Sequence, residues 1–377
     1  MKINNKAKRI KSKLLNGAAS LCAKPSKMIA CESFKGRSYS DNPRMISEKM
    51  HEMYPDYRIV WGINGAEKYN SAILPSYVEV MELKSWKYRK ARASSVAYVR
   101  NEAMTEDLVK TKGQLFIQTW HGDRGIKQIL YDAWPAGKRA TPVMDNELTD
   151  YFVIGSDYAE RRIKTAFKYS GKVIKNGCPR NDCLVDPYEG VEIRKRLGIE
   201  EHKKILLYAP TMRVGMPTVK SYLDIQDTLE HLNNRGGDWV CIVRAHPKSL
   251  GIEIQEGGDI INGSSYPDMS DLLMIADALI TDYSSCAGDF ILRKKPVILA
   301  QFDKNDYKRD LCVDINEAGF LVAYTQEELD RFFDELSDGD FADNCERVLR
   351  YFGTHETGHS AEDVCRLINE HYEKSIH

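Results

Sequence analysis

Short apolar runs alternate with stretches of helical composition along most of the chain. Met28–Cys31 is the first such run. Turn-like residues Glu32–Asn42 and a helical pattern from about Pro43 to Met53 follow it. Tyr57–Trp61, ended by Gly62, reads as the next strand, and Val78–Met81, Ser95–Val99 and Leu115–Thr119 as further ones. Asn101–Val109 has helical composition. A second cycle opens at Tyr151–Ile154, with Ser156 as N-cap of a helix through Tyr169 and a strand at Lys172–Ile174.

Asp186-Pro187 is the best linker, because a residue before proline is pushed out of helix. Beyond it the pattern predicts helices over Val191–Leu197, Tyr222–Asn233, Asp271–Ile275 and Ser284–Leu292. Strands are predicted over Lys204–Tyr208, Trp239–Val243, Ala278–Thr281 and Pro296–Leu299, and the tail from Gln326 is mostly helical. This rhythm implies an α/β protein with parallel sheets covered on both faces. The expected organisation is a basic leader (1–27), a Rossmann-like domain (28–187) and a second Rossmann-like domain with a helical tail (188–377), facing a cleft. A length of 377 residues suits two domains.

Composition narrows the picture little. The net charge of −1 gives no reason to expect a nucleic-acid partner. Nine cysteines, none in CxxC spacing, argue against a disulfide framework or zinc ribbon and for a reducing cytoplasm. No apolar run reaches the ~18 residues of a membrane span. Residues 1–31 carry eight Lys or Arg and no acid, with Ile10, Leu14, Leu15, Ala18, Leu21 and Cys22 at helical spacing. This reads either as an amphipathic segment on the anionic inner face of the cell membrane or as a frayed basic helix.

Four strand ends carry chemistry. Gln118-Thr119-Trp120-His121-Gly122 exposes a histidine, a residue type suited to proton transfer near neutral pH, ahead of a candidate helix Ile126–Leu130. A packing histidine fits these five residues as well. Tyr208-Ala209-Pro210-Thr211-Met212-Arg213 offers a hydroxyl and a guanidinium suited to phosphate. Val243-Arg244-Ala245-His246-Pro247 again stops a strand on a histidine. Ile280-Thr281-Asp282-Tyr283-Ser284-Ser285 leads into Ala287-Gly288-Asp289, gathering hydroxyls where a helix begins. His355-Glu356-Thr357-Gly358-His359 matches a zinc-protease pattern, but Gly358 and a capping box from Ser360 to Asp363 put it in a loop. No metal site is expected. Neither a Walker A loop nor a dinucleotide fingerprint is present.

In this order the four strand ends resemble the CDP-glycerol glycerophosphotransferase family of teichoic-acid synthesis. The likeness extends to Glu32-Ser33-Phe34 with Gly36, Asn42-Pro43, Val60-Trp61, Gly155–Tyr158, Gly177–Asp182 and Asp271-Leu272, about residues 28–310. The resemblance implies a GT-B-like fold and transfer of a polyol phosphate, glycerol phosphate first, from a CDP-activated donor. The acceptor is a hydroxyl of a wall or capsule-type polymer or a lipid-linked chain, and CMP is released. It implies His121 as general base and His246 at the donor phosphates. Arg180, Thr211, Arg213, Thr281, Asp282, Ser284, Ser285 and Asp289 would hold the donor. Ser33, Gly36, Trp120, Gly122 and Lys127 would meet the acceptor. It implies no cofactor. One departure is Asp123-Arg124-Gly125, where the family has a small residue and a proline; Lys127 keeps the family lysine.

Two rival readings share the fold. One is a GT-B glycosyltransferase using a nucleotide-sugar. The other is a non-catalytic nucleotide-binding protein of a polysaccharide assembly complex, against which two strand-end histidines argue.

Overall fold

The computed structural model describes residues 2–21, 23–71, 73–133, 143–211, 223–245, 257–305, 307 and 309–376. The chain divides into two compact units. The first is Met1–Asp123, Ile129–Asp182 and His355–His377; the second is Arg124–Gln128 and Cys183–Thr354. The boundary falls at Asp182/Cys183, where the sequence pointed to Asp186-Pro187. The tail expected with the second unit is split, because helix Ser360–Ile376 belongs to the first.

The first unit holds seven strands: β1 (Ser26–Glu32), β2 (Arg58–Ile63), β3 (Val78–Glu82), β4 (Ser95–Arg100), β5 (Leu115–Gln118), β6 (Tyr151–Ile154) and β7 (Lys172–Lys175). They form one sheet in the order β3-β2-β1-β4-β5-β6-β7, every pair parallel. β1 and β4 are buried almost throughout, as expected of strands covered on both faces. Helices α1 (Lys2–Leu21), α2 (Asp41–Met53) and α3 (Trp86–Ser94) belong to this unit.

The second unit holds β8 (Lys204–Ala209), β9 (Trp239–Val243), β10 (Ile260–Asn262), β11 (Ala278–Thr281), β12 (Val297–Ala300) and β13 (Leu321–Ala323). Their order is β10-β9-β8-β11-β12-β13, again all parallel. Leu206, Cys241, Ile280 and Ile298 from four of these strands pack in its core with Leu229 and Leu329 from flanking helices. Each sheet reverses its strand order once, at β1/β4 and at β8/β11. In open α/β sheets such a switch point, at the carboxyl ends of the strands, is where ligands bind.

Several expectations need correction. Gly62 lies inside β2 rather than ending it; a Cβ there would meet the Tyr88 ring at 2.4 Å and Leu83 at 2.6 Å. Asn101–Val109 is not helical, because polar bonds, one local and one to Asp145 farther along the chain, compete with the helix. Thr105 Oγ1 donates to Asp107 at 2.6 Å, and the Met104 N–H donates to Asp145 at 2.9 Å. The helix expected at Ile126–Leu130 is absent; Lys127 forms a bridge to Leu311 instead. The helix expected over Ser284–Leu292 is a short α-turn, Cys286–Phe290, followed by a 3-10 turn. The capping box at Ser360 does not form. Its hydroxyl donates to the Gly177 carbonyl at 2.8 Å, and Asp182 accepts the Ser360 and Ala361 N–H groups at 3.0 and 2.8 Å.

Candidate functional site

At the β1/β4 switch point the two strands end side by side on Glu32 and Arg100. The next residue, Asn101, fixes His121. Its carbonyl lies 2.6 Å from Nδ1 of the imidazole. Nδ1 must carry its proton to donate there, so in the neutral ring the lone pair sits on Nε2. Trp120 stacks on the ring at 4.0 Å and Phe34 tilts against it at 5.1 Å. The histidine is therefore positioned and half-buried rather than sealed in the core.

A buried polar network holds this arrangement. The Asn101 amide donates to Asp41 Oδ1 at 3.0 Å and accepts the Phe34 N–H at 2.8 Å. Asp41 Oδ2 lies 3.4 Å from the Arg180 guanidinium. Asn42 donates to the Trp120 carbonyl at 2.9 Å and accepts the Arg180 N–H at 2.9 Å. Trp120 sits at a φ of 50°, unusual for a bulky residue, and its N–H is held by Gln118 at 2.9 Å. The Gln118 amide in turn donates to Asp145 at 2.7 Å. Burial pushes the Asp145 carboxyl up to about 6.

Ser33 and Gly36 shape the loop that carries Phe34. Ser33 Oγ donates to the Ser40 carbonyl at 2.6 Å, and Gly36, at a φ of 73°, donates to the Ser33 carbonyl at 2.9 Å. Thus Ser33, Gly36, Trp120, His121, Gly122 and Arg180 gather in the first unit. Asp41, Asn42 and Asn101 join them as positioning residues. The sequence pattern marks Asn42 only within a segment of the resemblance and gives Asp41 and Asn101 no part in the site. Their signal was present: Asn101 follows a strand, and Asp41 opens a helix.

At the β8/β11 switch point Asp282 ties the strand ends together. Its Oδ1 accepts from Thr211 Oγ1 at 2.5 Å and from the Tyr283 N–H at 2.5 Å, while the Thr211 N–H approaches both oxygens at 3.0 Å. The buried Thr281 hydroxyl donates to the Ala209 carbonyl at 2.6 Å. Ser284 and Ser285 stay half-exposed at the head of the next turn. Asp289 lies 3.5 Å from Arg124, whose Nε donates to the Gly288 carbonyl at 2.5 Å. Arg124, fully buried, thus anchors this turn. Lys127 is in the second unit and pairs through its backbone with Leu311. Arg213 and His246 lie outside the described residues. Arg244 spends its guanidinium on the Gly263 and Tyr266 carbonyls, pinning the loop beside β9.

His355 and His359 do not converge on a metal. His355 Nε2 meets Asp157 at 2.9 Å, and Glu356 accepts from the Cys178 N–H and the Asn181 amide at 2.8 Å each. Asp123, Cys178 and Glu356 place ligand-type atoms within 4.8 Å of one another. Glu356 is engaged as above and Asp123 accepts the Gly155 N–H at 2.8 Å, so the trio reads as a clasp for the C-terminal segment.

Comparison with known proteins decides the family. The sequence model of CDP-glycerol:poly(glycerophosphate) glycerophosphotransferase matches residues 17–370. The chain belongs to this family. It is 30% identical over 320 residues to the teichoic acid poly(glycerol phosphate) polymerase of Staphylococcus epidermidis, covering 80% of this chain and 43% of that one. It is equally similar to the teichoic acid glycerol-phosphate transferase of Staphylococcus aureus, covering 80% of this chain and 79% of the relative. The chain therefore spans less than half of the first of these relatives. A solved structure of the wall teichoic acid polymerase TagF superposes with a TM-score of 0.83 at 25% identity, covering 100% of this chain and 98% of TagF. Another TagF structure, soaked with CDPG, gives a TM-score of 0.84 at 24% identity over 100% of this chain and 98% of that one. The GT-B-like fold expected for this family member is thereby established.

Proposed function

We propose that this protein transfers glycerol phosphate from CDP-glycerol to a hydroxyl of a cell-wall polymer or lipid-linked acceptor, releasing CMP. The observation that carries the reading is His121 held through Nδ1 by the Asn101 carbonyl, in a chain of this family. Nε2 takes the acceptor's hydroxyl proton. The oxygen attacks the phosphorus that bears glycerol, and the bond from that phosphorus to the bridging oxygen breaks. A phosphodiester forms and CMP leaves with the bond's electron pair. Little covalent work falls to the protein, so positioning and neutralising negative charge supply the rate.

In this reading the Ser284 and Ser285 hydroxyls meet the donor phosphates. Thr211, Thr281, Asp282 and Asp289 shape the turn that presents them, and Arg180, Arg213 and His246 complete the donor set. Ser33, Gly36, Trp120, Gly122 and Lys127 serve the acceptor. Family membership favours a CDP-polyol over a nucleotide-sugar. The test is incubation with CDP-glycerol, CDP-ribitol or a UDP-sugar, with and without lipid-linked acceptor, following nucleotide release. CMP from CDP-glycerol only with acceptor present supports the reading. Turnover of the UDP-sugar alone points to a glycosyltransferase, and no release under any condition points to a binding protein.

Peripheral contact with an anionic membrane has a specific observation in its favour. Ile10, Leu14 and Leu21 recur along α1 and are 54%, 69% and 86% exposed on a helix rich in lysine. No described helix is long and apolar enough to cross a membrane. Co-sedimentation with phosphatidylglycerol vesicles, lost in Ile10→Ser with Leu14→Ser, is the expected result.

A further inference from the structure

A large cavity of the first unit is not lined by His121. It has a volume of about 770 Å³ and opens at the β1/β4 switch point, lined by Glu32 and Arg100 from the strand ends and by side chains of α1 and α3. Its charge is lopsided. Lys8, Lys11, Lys84, Arg89, Arg92 and Arg100 all line it, together with Lys35 and Arg9, against only two carboxylates, Glu32 and Asp107.

Those carboxylates do not neutralise it. Arg100, 5% exposed, lies 3.4 Å from Glu32, yet its buried Nε has no hydrogen-bond partner among the described residues. A buried donor without a partner is costly and marks a place where a ligand atom is missing. Arg89 and Arg92 both turn to the Asn16 side-chain oxygen, at 2.5 and 3.1 Å, so two cations share one neutral acceptor. Burial and the neighbouring Arg92 push the Arg89 guanidinium below its ordinary value. Lys8, Lys11 and Lys84 are exposed and have no ion pair among the described residues. A protein holding like charges together this way gains only when an anion joins them.

The cavity and His121 share one strand end. Arg100 lines the cavity while the adjacent Asn101 carbonyl holds His121. Lys35 lines it while the adjacent Phe34 packs on the His121 ring. We propose that this cavity is a polyanion subsite, taking phosphodiester or diphosphate groups of the acceptor chain behind the hydroxyl that His121 deprotonates. It rests on the transfer reading for the identity of that hydroxyl but not for the anion. Bidentate arginines and mobile lysines suit repeated phosphates on a flexible polyol chain.

The test uses the full chain and a short synthetic glycerol-phosphate oligomer, with phosphatidylglycerol vesicles as the second probe and no donor present. Lys11→Glu with Lys84→Glu changes two exposed side chains, so folding should survive and circular dichroism checks it. Oligomer affinity should fall about tenfold or more, and it should weaken with salt less steeply than that of the unaltered chain, as expected when anion contacts are lost. In turnover the acceptor KM should rise by a similar factor while the CDP-glycerol KM holds. Oligomer binding equal to that of the unaltered chain overturns the subsite. Loss of vesicle binding alone also overturns it, assigning the lysines to a lipid surface. Oligomer binding that depends on these lysines, without CMP release under any condition, sinks the transfer reading and leaves the subsite standing.

Discussion

The two switch points are built on the same topology and finished in opposite ways. In each unit the sheet reverses between its first and fourth strands, and the two strand ends lie side by side. At β8/β11 a carboxylate, Asp282, is consumed by three donors from the two strand ends. That end is tied shut by protein–protein bonds, and the half-exposed Ser284 and Ser285 are carried beyond the tie. At β1/β4 the strand ends stop on a buried ion pair with a spare donor, a 770 Å³ basic cavity and a positioned imidazole. A fold supplies the crevice; the polar residue placed just after each strand decides whether it is a clamp or a positioned imidazole with room beside it.

Removing His121 should separate the two ends most sharply. His121→Ala should lower kcat by ~10²–10⁴-fold, the usual range for a general base. Binding of CDP-glycerol by titration calorimetry should stay within about twofold, because the donor turn does not depend on the imidazole. Near-normal CMP release would end the base assignment. Asp282→Ala should behave in the opposite way. It removes the acceptor that Thr211 and the Tyr283 N–H share at the strand ends, about 1–3 kcal/mol of local cost. Donor affinity should fall roughly tenfold with thermal stability, while oligomer binding at the first unit is retained. Loss of oligomer binding with intact donor affinity would reverse the comparison.

Much of this was legible in the sequence, for a physical reason. Parallel strands buried on both faces are mostly apolar, so all but two of the thirteen strands among the described residues are legible in the sequence. β10 and β13 have three residues each and only partial burial, too little to register as a pattern. The Ser156 cap was readable because its acceptor role is local; Ala159 donates to it at 3.0 Å. Ser360 was misread because its helix is capped by Asp182, a residue distant in sequence. The same limit hid the support behind His121. Asn101 and Asp41 act through contacts 20 to 60 positions apart, and spacing says nothing about those. The basic cavity is not legible for the same reason: the spacing of the leader's lysines does not say that α1 lies beside the cations of α3 and β4.

Smaller effects sharpen the contrast further. At the turn after β11, Gly288 permits the close approach of Arg124. A Cβ at 288 would lie 2.7 Å from the Arg124 carbonyl oxygen and 2.6 Å from its Cβ. These are a neighbouring backbone and the root of a side chain, neither able to swing aside. Gly288→Ala should therefore cost about 1–3 kcal/mol in chemical denaturation, the range for overpacking. It should weaken donor binding more than acceptor binding. An unchanged denaturation midpoint would mean that Arg124 does not anchor the turn.

The base end carries a pH signature through Asp145. Its carboxyl holds Gln118, which holds Trp120 beside His121, and burial raises it to about 6. The folded state then resists ionisation that the unfolded chain undergoes near pH 4. Below pH 4 the carboxyl is protonated in both states and the full stability is present. As pH rises from about 4 through about 6 the unfolded state ionises first, so this contribution is lost, by about 3 kcal/mol. Asp145→Asn cannot ionise. The difference in Tm between the original chain and this variant should therefore shift against the original between pH 4 and 7 and level off above. A difference that stays flat across that interval would show that Asp145 ionises as readily in the fold as outside it.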